Sequence, residues 1–356
     1  MSEKSRSLRE QLEREVPEWL EGVESAEPET TKSESIREVR RLGAILQRES
    51  DRRFVQHPSE ADLPPEDVEV VVHMGCHSVK TPVIIDSIMD VLEKLKFGAV
   101  ALGGYNNCCG IEDMKRGDVE TAEKLDDNRF SNIEAFDPDY AVAECSSCHA
   151  ITQTTSLGYR SPEFEFPFLP EFLLEHRERF LEAVEVTEPI TVTVHDHFDY
   201  RGWMPEEQSE TIRELFSSLP GVEVVEMEHT RSDRLPCNLS ASPDDHPYED
   251  VNRQIYREAE AAGADVLVNV WHGCHRSLLP YEFDSPVVTR NYATFLAERL
   301  GFEYRDRNRE YLRMAADGNL EGIFEDARPT FEANGLTEAD ARAVIDAHYA
   351  HVRPPA

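Results

Sequence analysis

A chain of 356 residues can bury a sizeable core and suggests two domains, or one duplicated unit with extensions. It carries 71 Asp and Glu against 37 Lys and Arg, and the resulting net charge of −34 is spread along the whole chain, which argues against binding nucleic-acid phosphates. No run of about eighteen apolar residues occurs and the first residues are charged, so neither a transmembrane segment nor a signal peptide is expected, and the reading is a soluble, cytoplasmic protein.

Residues 1–65 form a polar, Glu-rich N-terminal extension. The spacing of Ile36, Val39, Leu42 and Leu46 predicts a helix there, read as a loosely attached arm, with a partner-docking helix as the alternative. A first domain is expected over 66–180. A Val-rich strand over 68–74 ends at Gly75-Cys76. A helix over 82–95 follows, with Ile84, Ile85, Ile88, Met89 and Leu92 on one side. A second strand over 99–102 is broken by Gly103-Gly104 and leads to the loop Asn107-Cys108-Cys109-Gly110. A charged helix over 119–135 precedes a third strand at 139–143, which ends at Glu144-Cys145-Ser-Ser-Cys148-His149. Strands alternating with helices predict a parallel α/β sheet.

The pattern then repeats over 188–300. Strands at 190–194, 222–225 and 264–270 alternate with helices at 206–216 and 250–262. They end at His195-Asp196-His197-Phe198, near Pro236-Cys237, and at Trp271-His272-Gly273-Cys274-His275. Ala143-Glu-Cys-Ser-Ser-Cys-His aligns with Asn269-Val-Trp-His-Gly-Cys-His. The fold class expected is therefore α/β, with two tandem, pseudo-duplicated parallel units. Residues 301–356 are expected to be a helical C-terminal extension, with Thr337 through Asp340 resembling a capping-box helix start.

Seven cysteines in a chain this long are not a disulfide scaffold, and five of them fall between 76 and 148. The spacing is Cys76, 31 residues, Cys108-Cys109, 35 residues, then Cys145 and Cys148. Each element follows a strand, and loops at the carboxyl ends of parallel strands gather at one crevice. Five soft thiolates converging there suit an iron–sulfur cluster, whereas one tetrahedral zinc needs four ligands and leaves a thiol over. Gly75, Gly103, Gly104 and Gly110 would let the backbone pass close to an inorganic core. A structural zinc site and a thioredoxin-like dithiol at Cys145 and Cys148 stand as alternatives.

The arrangement of Cys76, Cys108-Cys109-Gly110 and Cys145-x-x-Cys148, with a strand before each element, resembles the cysteine-rich CCG domain. That domain occurs in the B subunit of heterodisulfide reductase and in iron–sulfur subunits of glycolate, lactate and succinate oxidation systems. The resemblance covers roughly 66–300 and implies an unusual, noncubane [4Fe–4S] cluster held by Cys76, Cys108, Cys109, Cys145 and Cys148. It implies an oxidoreductase subunit that transfers electrons and reduces or forms a disulfide, or else relays electrons from a 2-hydroxy acid or succinate. A zinc-binding scaffold without a redox role is the non-enzyme alternative.

The second copy departs from that pattern. Phe198 stands at the first cysteine position, Pro236 at the second and Trp271 at the fourth, so two cysteines remain, too few for a five-thiolate cluster. It is read as a degenerate scaffold with Phe198 and Trp271 packed. The alternative is a mixed site or substrate pocket using Cys237 and Cys274 with His195, His197, His272 or His275. No ferredoxin-type cysteine run and no dinucleotide-binding glycine motif occur, so electrons are expected to arrive from another redox subunit, a ferredoxin-like iron–sulfur protein or a flavoprotein. Dispersed acidity with no lysine after Lys124 fits a salt-rich, halophilic cytoplasm, where screening shortens charge repulsion.

Overall fold

The structure is a computed structural model that describes residues 32–115, 117–196, 207–237 and 249–352. It contains two parallel sheets. In the first, β1 (Val70–His73) lies between β2 (Ala99–Leu102) and β3 (Tyr140–Ala143), with His73 opposite both Leu102 and Ala143. Every residue of β1 is buried, as expected where both faces of a parallel sheet are covered. The strand period of two sends Val70, Val72, Ala101 and Val142 into one core and Val71, Val100, Leu102, Ala141 and Ala143 into another.

The helices preceding, linking and following these strands are α1 (Lys32–Leu46), α2 (Pro82–Lys94), α3 (Ile111–Lys115), α4 (Val119–Glu134), α5 (Ser146–Thr154), α6 (Leu169–Glu175) and α7 (Arg177–Ala183). In the second sheet β4 (Ile190–His195) and β5 (Val222–Val224) are joined by β6 (Val266–Asn269) and β7 (Val288–Asn291) in the order β5-β4-β6-β7. Its helices are α8 (Glu207–Ser217), α9 (Glu249–Ala261), α10 (His272–Leu278) and α11 (Tyr292–Arg299). Three C-terminal helices follow, α12 (Arg307–Ala316), α13 (Leu320–Ala333) and α14 (Glu338–Tyr349).

The two sheets share one hydrophobic core, to which Val70 and Val72 contribute from β1 and Val192 and Val194 from β4. Helices α2 and α11 pack against each other, and Ser87 and Thr294 meet across them through a buried hydroxyl contact of 3.2 Å. Equivalent registers relate the units. His73 closes β1 opposite Ala143, and His195 closes β4 opposite Asn269. Ala143 and Asn269 are the aligned residues two positions before Cys145 and Trp271, so His73 and His195 are counterparts.

Three features differ from the sequence expectation. Helix α1 is no loose arm: Val39, Leu42, Ile45 and Leu46 are buried, and Leu42, Ile45 and Leu46 share a core with Tyr311, Ile323, Phe331 and Tyr349. The Asn334 amide donates to the Ala44 and Gln47 carbonyls at 2.9 and 2.8 Å, satisfying acceptors that a helix end leaves open. The second unit has a fourth strand, β7, which the alternation did not reveal. Helices α5 and α10 begin immediately at the cysteine motifs, where Ser-Ser and His-Gly are weak helix formers. The C-terminal helix starts as expected, with Thr337 Oγ1 accepting the Asp340 N–H at 3.1 Å. Among the described residues, no helix is long and apolar enough to cross a membrane.

Candidate metal centre

The three cysteine-bearing loops leave the carboxyl ends of β1, β2 and β3 and bring their sulfurs into a connected chain. Cys76 Sγ lies 3.7 Å from Cys108 Sγ, and Cys109 Sγ lies 3.4 Å from Cys148 Sγ. The adjacent Cys108 and Cys109 thiols interact, as do Cys145 and Cys148, closing the series. Cys76 is half-buried and the other four are buried. Cys145 is the N-cap of α5 and Cys148 sits in its first turn, where the helix dipole favours thiolates. Gly75 is required for the close approach of two loops: a Cβ there would lie 2.9 Å from Cys145 Cβ.

The thiols are strongly coupled. The contact from Cys109 favours ionisation of Cys108, but the contact with Cys76 and burial outweigh it and push Cys108 up to about 12. The contact with Cys108, together with burial, pushes Cys109 up to about 11. Cys145 is held below its ordinary value, chiefly by its hydrogen bond with Cys148 and also by the charge of His272. So many mutually repelling sulfurs ionise together only with a cationic centre to balance them.

Buried polar groups fix the surrounding backbone. His73 Nε2 donates to the Asn107 carbonyl at 2.7 Å, and burial pulls this imidazole down to about 4, keeping it a neutral donor. The Asn107 amide donates to the Gly103 and Gln56 carbonyls and its oxygen accepts from Asn132, so the segment before Cys108 is held from several sides. Glu144, 2% exposed, accepts hydrogen bonds from the Gly75 N–H at 3.2 Å and the Ser78 hydroxyl at 2.7 Å. Its other oxygen faces His272 Nδ1 at 3.3 Å. Burial alone would raise Glu144, but His272, Ser78 and Gly75 hold it below the usual carboxylate range. Glu144 therefore ties the Cys76 loop to β3 and the first unit to the second. A charge placed between a buried strand and a cysteine motif was the available sequence signal for it, but its partner lies 128 residues away.

The second unit also covers the first site. Trp271, at the position equivalent to Cys145, packs against the patch formed by Cys109, Cys145, Cys148 and Ile151. Gly273 makes room for it, since a Cβ at 273 would lie 2.0 Å from the indole ring. The packed role expected of Trp271 is thus seen, with the first unit's cysteines as its neighbours. His197 and Phe198 lie outside the described residues.

Within the second unit, a ring nitrogen of His195 and the sulfurs of Cys237 and Cys274 all lie within 4.8 Å of one another. All three residues are buried, and the two sulfurs are 2.8 Å apart. Burial and the neighbouring Cys237 push the Cys274 thiol well above its ordinary value. His272 and His275 turn elsewhere, His272 to Glu144 and His275 toward Asp306, with His275 Nε2 3.5 Å from Asp306 Oδ2. A further group, Glu228, His229 and Glu258, lies nearer the surface and contains an ion pair of 2.6 Å.

Residues 70–152, which include all five clustered cysteines, match the CCG cysteine-rich domain family. No curated protein matches the sequence. Solved structures with similarity include glutamate racemase isoform RacE1 from Bacillus anthracis, at 14% identity, covering 66% of this chain and 81% of that one with a TM-score of 0.30. A putative Asp/Glu racemase from Yersinia pestis has 11% identity, coverage of 69% and 99%, and a TM-score of 0.36. An aspartate racemase homologue from Pyrococcus horikoshii OT3 has 12% identity, coverage of 65% and 97%, and a TM-score of 0.32. Scores this low carry no argument about activity.

Proposed function

We propose that this chain, with its CCG cysteine-rich domain at 70–152, is an iron–sulfur redox subunit of the heterodisulfide-reductase B type. In this reading Cys76, Cys108, Cys109, Cys145 and Cys148 hold one noncubane [4Fe–4S] cluster. The observation that carries the reading is the spread of the five sulfurs. They form a chain of contacts from three loops, whereas the described three-residue groups compact enough for a single ion lie elsewhere. An extended thiolate set suits several metal atoms better than one tetrahedral zinc.

When bound, the cluster supplies one-electron transfer and a soft site for sulfur, so that two electrons and two protons convert one disulfide into two thiols. The electrons come from a separate iron–sulfur or flavin partner. The chain's own residues have distinct tasks. The cysteines hold the metal, His73 and Asn107 fix the Cys108 loop, Glu144 fixes the Cys76 loop, and Trp271 excludes water from one side. Half-buried Cys76 marks the side open to a reactant.

Anaerobic purification with iron and acid-labile sulfide analysis tests the reading. About four irons and matching sulfide per chain are expected. Zinc bound at the five-cysteine site without labile sulfide would overturn it.

A further inference from the structure

The second unit holds a histidine and two cysteines with ligand atoms mutually within 4.8 Å: Cys237 and Cys274 stand where Cys109 and Cys148 stand in the first unit, and His195 is the counterpart of His73. These residues are far apart in sequence. His195 is the last residue of β4, Cys237 follows the turn at 231–233, and Cys274 lies in the first turn of α10. Their exposures are 2%, 1% and 0%. An inert cysteine pair in an apolar setting needs no imidazole beside it. Here His195 Nε2 is buried and has no hydrogen-bond partner among the described residues. A buried polar nitrogen without a partner is destabilising, and a ligand that takes its lone pair removes that penalty.

We propose that His195, Cys237 and Cys274 form a mononuclear divalent metal site of the zinc class, separate from the iron–sulfur cluster. Two thiolates neutralise a dication, so the loaded site is electrically neutral, as burial demands. One imidazole and two thiolates are the donor types that tetrahedral zinc takes, and the two protons lost by the thiols pass to solvent on binding. The sulfur separation of 2.8 Å exceeds the roughly 2.05 Å of a disulfide. Two thiolates on one tetrahedral zinc stand about 3.8 Å apart, so the ion enters by opening the pair by about 1 Å. The bound ion joins the end of β4, the Cys237 loop and the start of α10. Helix α10 begins beside Trp271, which packs on the first unit's cysteines, and His272, which faces Glu144. The ion thereby stiffens the element that the second unit lays against the cluster.

Elemental analysis and zinc-edge X-ray absorption of full-chain protein purified anaerobically provide the test. About one zinc per chain is expected, with two sulfur ligands near 2.3 Å and a nitrogen ligand near 2.0 Å. Cys237→Ser, Cys274→Ser and His195→Ala should each bring zinc to background while iron per chain stays at the unsubstituted level. Absence of zinc, a zinc shell with three or four sulfurs, or a Cys237–Cys274 disulfide mapped in the anaerobic protein would overturn the proposal. Because the absorption measurement uses the unsubstituted chain, a variant that does not fold leaves the test intact. Iron and zinc are counted separately, so the second-unit site can fail while the cluster stands, and the reverse.

Discussion

The two α/β units place the same scaffold around different chemistry. Each has a central strand ending in a buried histidine, His73 or His195, and each retains cysteines at two equivalent positions, Cys109 and Cys148 against Cys237 and Cys274. In the first unit the histidine donates to a backbone carbonyl and leaves the sulfurs to one another. In the second, where Phe198, Pro236 and Trp271 stand at three of the five cysteine positions, the histidine lies among the two remaining sulfurs. The positions of the loops are a property of the parallel sheet, while a few substitutions at their tips decide how many donors meet. Removing cysteines did not simply empty the second unit, because one replacement, Trp271, became a cover for the first.

The largest effect expected from breaking this comparison is on iron. Cys108→Ser and Cys145→Ser should remove most iron from the anaerobic protein, because oxygen is a harder donor than thiolate. Cys237→Ser and Cys274→Ser should leave iron nearly unchanged. Iron per chain for all four variants, with melting temperature as the folding control, checks the contrast.

Both units also bury an aspartate against an arginine, and these pairs should respond alike. Asp126 contacts Arg129, Tyr159 and Arg160, and Asp196 is held by Arg213 at 2.7 and 2.8 Å. Burial alone would raise each carboxyl, but the arginines and hydrogen bonds hold each below the usual range. Their folded values lie below the unfolded ones, so the stabilisation is present above the unfolded value and is lost as pH falls through the folded one. Asp126→Asn should cost about 3–5 kcal/mol at neutral pH, since it leaves the buried Arg129 guanidinium without its carboxylate, and Asp196→Asn should act in the same direction but cost less, because Arg213 keeps Glu226 at 3.0 and 3.1 Å. Each variant should also lose less further stability than the unsubstituted chain in chemical denaturation carried to acid pH. Equal acid sensitivity in all three proteins would contradict the assignment.

A smaller effect is expected at the junction between the units. Glu144→Gln keeps an acceptor for Ser78 and Gly75 but removes the charge facing His272, and should cost about 2 kcal/mol in denaturant unfolding. A double-mutant cycle with His272→Gln should show coupling of about 1 kcal/mol or more; additive effects would mean that the two residues do not act across the junction.

The smallest contrast concerns equivalent positions in α5 and α10. Gly273→Ala forces the Trp271 ring to shift and should cost about 1–3 kcal/mol by overpacking. Ser147→Ala, at the aligned position two residues after Cys145 rather than after a tryptophan, should stay within about 0.5 kcal/mol. Melting temperatures of the two variants compare these costs directly.

Much of the framework was legible because local pattern suffices for it. The Val-rich segment at β1, the apolar stripe of α2 and the cysteine element after each strand specify a doubly covered parallel sheet with thiols at its carboxyl edge. The duplication was legible from the alignment around Cys148 and Cys274. The starts of α5 and α10 were obscure because Ser, Gly and His there carry little helical signal, and β7 because its Val-Thr-Arg-Asn sequence is short and half polar.

By itself the sequence determined which residue types follow each strand, and hence the donor set at each sheet edge, since the succession of strands and loops along the chain follows from local hydrophobic periodicity. Tertiary structure alone decided which of those donors meet. Folding the second unit against the first brought His272 to Glu144 and Trp271 onto the cysteine patch, and packed α1 onto the C-terminal helices. These contacts join residues more than a hundred positions apart, so they depend on the packing of whole elements, which no local pattern encodes.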